Sequence, residues 1–416
     1  MLLRFRAANA FSFRDEFELN LLTHKRGGDK SRFEPTSVAA IYGANASGKS
    51  NVLYAMRWMR QAVLKSCVEW VSESGVPRPT FKLDPSAAGE TTLAEVEFLL
   101  DQTRFVYGFE VSDGRVETEW LFEYATGRRR TLFIRDADLE GEFDFKGRWL
   151  KGELDQIAKA TRPDALFLST AAVLNHARLS SIYRWFQQTM QVSDPEVGRD
   201  LEFAVDSQLR GVDLAELVPY LRLADLGLED ARFAAVEPRA VGGGASSVER
   251  LELVHRGEEG TLALDLEEES IGTLVWLLLL SKTISVLRSG GVLLVDELDG
   301  SLHPHLVAEI LRLFRDPNAN PHGAQLICTL HDVSLFGSAH ADVPLDRREV
   351  WIAEKTATGK SELYPLTDAR PATQENLERG YLRGRYGGVP RVGAGWLAAD
   401  IAKLFGGGGA PAGAAG

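Results

Sequence analysis

The stretch SVAAIYGANASGKSNVLYAM, residues 37–56, constrains this chain more than any other feature. A short apolar strand runs into a Gly-rich turn, and Val52, Leu53, Met56, Met59 and Val63 then recur at helical spacing. Gly43, Gly48, Lys49 and Ser50 satisfy G-x-x-x-x-G-K-[ST] in full. Such a loop needs a strand to aim it, glycines that let backbone N–H groups approach phosphate oxygens, and a helix N-terminus carrying partial positive charge. A second Gly-Lys-Ser, in TATGKSE, has Glu354 where the first glycine belongs and lies between the strand-like runs EVWIAEK and SELYPL. It reads as a hairpin turn.

A partner motif comes from the far end of the chain. In GGVLLVDELDGSLHP, Val292–Val295 form a short strand suited to the buried middle of a parallel sheet. That strand delivers Asp296 and Glu297 to its C-terminal end, where α/β sheets place ligands. Asp296 would hold Mg²⁺ together with Ser50, and Glu297 would orient or deprotonate the water that attacks a γ-phosphate. About thirty residues on, AQLICTLHD is a second apolar strand ending in His331 and Asp332, and His331 is placed to hydrogen-bond the γ-phosphate. In EEESIGTLVW, Ser270, Gly272 and Thr273 open a long apolar helix with Ser270 as N-cap. In a dimer that hydroxyl and dipole would point at nucleotide held by the other subunit.

The remaining chain gives the organisation. Its 416 residues provide material for two or three domains. A net charge of −12 argues against a surface wholly devoted to nucleic acid. Cys67 and Cys328 stand in no metal-like spacing, a cytosolic usage. The charged start lacks an apolar h-region, and LVWLLLL belongs to a helix of roughly 18 residues, short of a bilayer span. The expectation is a cytoplasmic protein without membrane contact. Residues 77–131 read as an antiparallel meander and 136–239 as mostly helical, closed by the Gly-rich AVGGGASS, with strands VERLELVHR and TLALDL following.

The expected division is an ATPase core of residues 1–75 and 246–370, an inserted β and helical lobe of 76–245, an Arg/Tyr/Gly segment of 371–395 and a flexible low-complexity tail of 396–416. Arg128–Arg130 with Arg135, and Arg379, Arg383 and Arg385 with Tyr381 and Tyr386, read either as nucleic-acid backbone contacts or as a solvated hairpin tip and a tail docked on an acidic body. His303 and His305 have no third ligand nearby, so no metal is expected there.

Taken in order, these motifs resemble those of an ATP-binding-cassette ATPase of the RecF/SMC type. More narrowly, IYGANASGKSNVLYAM, PTFKLDP, ADLGLED, ESIGT, LLVDELDGSLHP, TLHD and ENLERGYLRGRYGGVP resemble the AbiL/RloA-like bacterial AAA family ATPases linked to abortive infection and phage defence. The resemblance implies an α/β fold, an ABC-type P-loop ATPase core with an antiparallel β subdomain and an inserted mixed β/helical lobe. It makes Gly43, Asn45, Gly48, Lys49, Ser50 and Asn51 the ATP loop, Asp296 and Glu297 the Walker B acid and catalytic base, Asp299–His303 an interface-crossing loop, and His331 the switch histidine. Ser270 and Gly272 become a signature acting in trans, although Glu269 replaces its Leu and Ile271 separates Ser from Gly. The glutamine that usually joins site and lobe has no clear position, since Gln102 falls in a hairpin turn. The implied function is an ATP-driven homodimeric switch controlling a separately encoded effector such as a nuclease. A RecF-like DNA-repair ATPase and a non-hydrolysing scaffold glued by ATP are the alternatives.

Overall fold

The computed structural model describes residues 1–24, 33–70, 75–125, 127–145, 149–193, 201–223, 227–236, 248–336, 345–372, 375–389 and 396–404. The Gly-rich AVGGGASS segment and the tail beyond residue 404 lie outside them. Strands β1 (Leu2–Ala8), β2 (Phe17–Asn20), β3 (Leu22–His24), β4 (Phe33–Pro35) and β5 (Val38–Tyr42) precede helix α1 (Lys49–Lys65). A meander follows: β6 (Thr92–Leu100), β7 (Thr103–Val111), β8 (Val116–Tyr124), β9 (Arg130–Asp136) and β10 (Phe143–Asp144). Helices α2 (Leu154–Ala160), α3 (Phe167–Val173) and α4 (Ala177–Arg184) lead to β11 (Met190–Ser193). Next come α5 (Leu201–Leu209), α6 (Leu214–Leu223), β12 (Leu228–Val236), β13 (Val248–Gly257) and β14 (Gly260–Asp265). The chain continues through α7 (Ile271–Ser289), β15 (Val292–Val295), α8 (Pro304–Arg315), β16 (Gln325–Thr329), β17 (Val350–Lys355), β18 (Ser361–Pro365), α9 (Leu377–Leu382) and α10 (Trp396–Leu404).

A six-stranded sheet in the order β11-β15-β16-β5-β17-β18 carries the site, with only its edge strand β18 antiparallel. Every residue of β5, β15 and β16 is buried, as interior parallel strands covered on both faces require. Along β5, Ala39 and Ile41 pack with Val52, Met56 and Met59 of α1 on one face. Val38, Ala40 and Tyr42 face the core shared with α7 and α8. The alternation of the strand thus decides which helices cover which side.

The meander does not stand apart from this core. It forms a seven-stranded antiparallel sheet, β10-β9-β8-β7-β6-β1-β2, in which β6 pairs directly with β1. Phe5, Val96, Phe98, Phe109 and Leu121 from that sheet share the core with α1. Gln325 at the start of β16 ties the two sheets: its Oε1 accepts from Leu2 N at 2.6 Å and its Nε2 donates to Leu2 O at 2.9 Å.

Several sequence expectations change. Within the stretch read as mostly helical, Leu228–Val236 is a strand that pairs with β13, and Met190–Ser193 is an edge strand of the parallel sheet. Both are local helix formers or continue a helical pattern, and both become strands because a partner strand supplies the ladder. Helix α7 reaches 19 residues and, by length and composition, is long and apolar enough to cross a bilayer. Here Leu274–Leu280 are all buried in the protein core, beside α5 and β15. The segment expected to be a flexible tail begins with α10, because WLAADIAKL combines good helix formers with apolar residues at helical spacing and the glycine run starts only afterwards. The TATGKSE segment is the expected hairpin between β17 and β18, with Gly359 at a φ of +82°.

Candidate functional site

The loop after β5 folds as its glycines dictate. Gly48 caps α1 in the left-handed region at φ +103°, and a Cβ there would overlap Ser361 Oγ and lie 2.6 Å from Ser12 Oγ. A Cβ on Gly43 would overlap the Ala353 carbonyl and lie 2.5 Å from Ser47 Oγ. No side chain caps the N-terminus of α1, and a cavity of about 480 Å³ opens at that end of the helix. Asn45, Ala46, Ser47, Gly48, Lys49, Ser50 and Asn51 line one wall. Glu297, His331 and Lys355 line the rest.

Lys49 is buried, and its Nζ donates to Gly43 O at 2.9 Å and Ala44 O at 3.2 Å. Burial pulls its pKa below the ordinary lysine value, opposed by the negative fields of Glu297, Asp296 and Asp299. Those acids reach it because β16 alone separates β5 from β15. Thr329, the last residue of β16, joins the acid pair: its Oγ1 donates to Asp296 Oδ1 at 2.6 Å and accepts from Glu297 N at 2.7 Å. Tyr54 of α1 donates its hydroxyl to Asp296 Oδ2 at 3.2 Å.

Glu297 adopts φ +49°, an uncommon conformation for a non-glycine residue, and its side chain points to solvent with Oε1 3.7 Å from His331 Nε2. Asp299 Oδ2 accepts from the backbone N–H groups of His331 and Asp332 at 2.7 and 2.5 Å, which fixes the turn carrying the histidine.

The sequence-derived residues Asn45, Gly48, Lys49, Ser50, Asn51, Glu297 and His331 therefore meet around one cavity, whereas Gly43, whose carbonyl accepts from Lys49, and Asp296 are not among its lining residues. Ser270 and Gly272 do not line it. Ser270 caps α7, accepting from Thr273 N at 3.1 Å, and is exposed, while Gly272 approaches Ser301 O, 3.1 Å from the position of a Cβ. Glu269, where the standard signature has leucine, contacts His255 Nε2 at 2.5 Å instead.

Four residues went unrecognised in the sequence. Ser12 accepts from Asn51 Nδ2 at 2.7 Å, and Ser361 donates to Ser47 O at 2.7 Å, so the Gly-Lys-Ser hairpin buttresses the true loop. Thr329 was readable only as a core-strand residue, and Lys355 only as a hairpin charge.

The basic clusters divide. Arg135 is buried and bonded to Glu142 and the Ala165 carbonyl, so it cannot serve a nucleic acid. Arg129 and Arg130 lie over the rings of Phe122 and Trp149. Tyr381 and Tyr386 are buried rather than available for base stacking, with Tyr381 donating to Gly388 O at 2.8 Å, and Arg385 pairs with Glu375. The tail is thus docked on the body. Among the described residues no group of three His, Cys, Asp or Glu side chains is arranged to hold a metal.

A phosphate loop on a parallel strand, facing an acid pair two strands away and a histidine between them, defines a P-loop nucleotide-binding domain. The chain belongs to the family described as "AAA domain, putative AbiEii toxin, Type IV TA system", whose model matches residues 38–337. Membership implies ATP binding and typically Mg²⁺. Among solved structures it is similar to the SMC head domain from Thermotoga maritima, at 14% identity and a TM-score of 0.41, covering 88% of this chain and 98% of that one. No curated protein sequence matches it.

Proposed function

We infer that this protein is an ATP-hydrolysing switch that dimerises around ATP and Mg²⁺. The observation that carries the reading is the single cavity in which the N–H groups of α1, Lys49, Glu297 and His331 converge from three adjacent strands. The triphosphate fits the wall where Gly43 and Gly48 leave no room for a Cβ and α1 leaves its N–H groups uncapped. Ser50 and Asp296 would hold Mg²⁺, since each carboxylate oxygen of Asp296 accepts one protein donor, Thr329 or Tyr54, and keeps a further lone pair. When bound, the ion neutralises charge that develops on the phosphates.

Lys49 supplies fixed positive charge at the loop. The exposed Glu297 carboxylate accepts a proton from the attacking water, and His331 donates to the terminal phosphate from the adjacent strand end. Asp296 and Thr329 hold the Glu297 backbone so that its side chain faces the cavity.

Ser270 is exposed and lies outside its own chain's cavity, which suits a role on the nucleotide of a second copy, with Gly272 beside it. Two ATP molecules would then be sandwiched in a head-to-tail homodimer that closes on binding and reopens on hydrolysis. The AbiL/RloA-like motifs support a cytoplasmic defence role, in which the switch controls a separately encoded effector. The buried Arg135 and the docked C-terminal tyrosines weigh against direct DNA binding as its main task.

The test is the solution mass of Glu297→Gln with and without ATP and Mg²⁺, alongside phosphate release by wild type and Lys49→Ala. Dimerisation of Glu297→Gln only with ATP, slow turnover by wild type and neither by Lys49→Ala is the expected pattern. A mass that never responds to ATP sinks the trans role of Ser270 and Gly272.

A further inference from the structure

One cation at the cavity has no part in that chemistry. We propose that Lys355 is a second phosphate-binding lysine, contacting the bound nucleotide from the flank opposite Glu297 and His331. The inference rests on the nucleotide reading of the site and deepens it.

The register places the residue. Strand β17 pairs in parallel with β5, with Ile352 beside Tyr42. Lys355 lies three residues beyond Ile352 and Asn45 three beyond Tyr42, so the lysine stands level with the apex of the phosphate loop. Side chains alternate along a strand, which puts Lys355 on the same face as Ala353, the face packed in the core with α1. Glu354 takes the other face, where it accepts from the Tyr364 hydroxyl at 3.0 Å. Lys355 therefore projects over the start of α1, in agreement with its place in the cavity wall.

The root of the side chain is held firmly. Its cross-strand partner is Ser361, whose N–H donates to Ser12 O at 2.8 Å and whose hydroxyl donates to Ser47 O at 2.7 Å. The hairpin beyond is closed by Thr356 N to Lys360 O at 2.8 Å and Gly359 N to Thr356 O at 3.0 Å.

The charge is also unspent. Lys360, in the same hairpin, pairs with Asp15, and Lys49 bonds the loop carbonyls, whereas Lys355 is exposed and has no ion-pair partner among the described residues. A lysine free of carboxylates among the described residues, rooted beside the loop and lining the same cavity, suits an anion.

Position decides which phosphates it serves. Glu297 and His331 stand on β15 and β16, to one side of β5, while β17 lies on the other side. The reacting γ-phosphate belongs near the acid and the histidine. Lys355 accordingly meets the phosphates nearer the nucleoside, which ATP and ADP share. A contact of equal strength before and during reaction changes affinity and leaves turnover alone.

The test is titration of ATP and ADP into wild type, Lys355→Ala, Lys355→Arg and Lys49→Ala, with steady-state phosphate release alongside. A charge-assisted contact at a partly solvated site corresponds to about tenfold in affinity. Lys355→Ala is expected to weaken ATP and ADP by about tenfold each, with kcat within about twofold of wild type, and Lys355→Arg to recover most of the loss. Unchanged ADP affinity in Lys355→Ala, or a loss confined to kcat, overturns the assignment while leaving the nucleotide reading intact. If wild type binds neither nucleotide, the nucleotide reading falls and this inference falls with it.

Discussion

Thr329→Val replaces a fully buried hydroxyl with a methyl of nearly the same volume, so no cavity opens and only polar contacts are lost. The hydroxyl is spent twice, donating to Asp296 and accepting from the N–H of Glu297. A hydrogen bond to a carboxylate contributes about 1.5–3 kcal/mol, and an abandoned N–H costs about 1–3 kcal/mol when buried. Asp296 is half-buried and keeps its Tyr54 contact, so water and the tyrosine offset part of both. We expect a net destabilisation of about 2 kcal/mol, read as a lower urea midpoint at constant slope. The effect on chemistry is larger. Glu297 holds its left-handed backbone through this bond and through Gly300 N to Glu297 O at 2.8 Å, and losing one of the two lets the carboxylate swing. Phosphate release should fall by about tenfold to a hundredfold, while ADP affinity stays within about threefold because Thr329 does not line the cavity. Thr329→Ser, which keeps the hydroxyl, should restore most of the rate. If Thr329→Val turns over like wild type and loses under about 0.5 kcal/mol, the relay does not hold the acid, and the account of the site is wrong at that point.

Gly48→Ala combines a left-handed φ with a clash against Ser361 and Ser12, and should lose about 1–3 kcal/mol of stability together with nucleotide binding; a normal Tm with normal ATP affinity would refute this. The depressed pKa of Lys49 gives a pH signature. Its charge is lost as pH rises through the lowered value, so ATP affinity should decline at a pH below the ordinary lysine range, and the decline should vanish in Lys49→Arg, whose group stays charged. The sign for folding is opposite, because the unfolded chain holds this proton more tightly and stability contributed by Lys49 rises with pH across that window. Tyr381→Phe removes the bond to Gly388 O and should cost about 1 kcal/mol in denaturation. Burial pushes the Tyr381 and Tyr386 phenols up to about 12, so ultraviolet titration should show both ionising late, and Tyr381→Phe should delete one late step.

What the sequence made legible is what is local. The strand, loop and helix around Gly43–Ser50 declare themselves because aim, turn and N-terminus are contiguous in the chain. The acid pair and His331 follow from the same logic, each at the end of a short apolar strand. Contacts made across long separations stayed hidden. Ser361 Oγ to Ser47 O joins residues 314 apart, and nothing in TATGKSE says that its hairpin lies against the real loop. β11 and β12 owe their state to partner strands rather than to their own composition. The buried Arg135 was unreadable for a similar reason: three backbone carbonyls and Glu142, which only the fold assembles, satisfy its guanidinium.

The phosphate-loop strand also sets a schedule for biosynthesis. Both neighbours of β5 are made late: β16 begins at Gln325 and β17 at Val350, whereas β5 ends at Tyr42. At about 5–20 residues per second, the ribosome needs roughly 15–60 s to produce the first of them. During that interval β1 and β6 are already present to pair and to cover one face of α1, but β5 has two open edges and an uncovered face. The antiparallel sheet can therefore form first and the nucleotide site last. A chain interrupted anywhere between residues 51 and 324 would carry an intact GANASGKS motif without either strand that flanks it in the sheet.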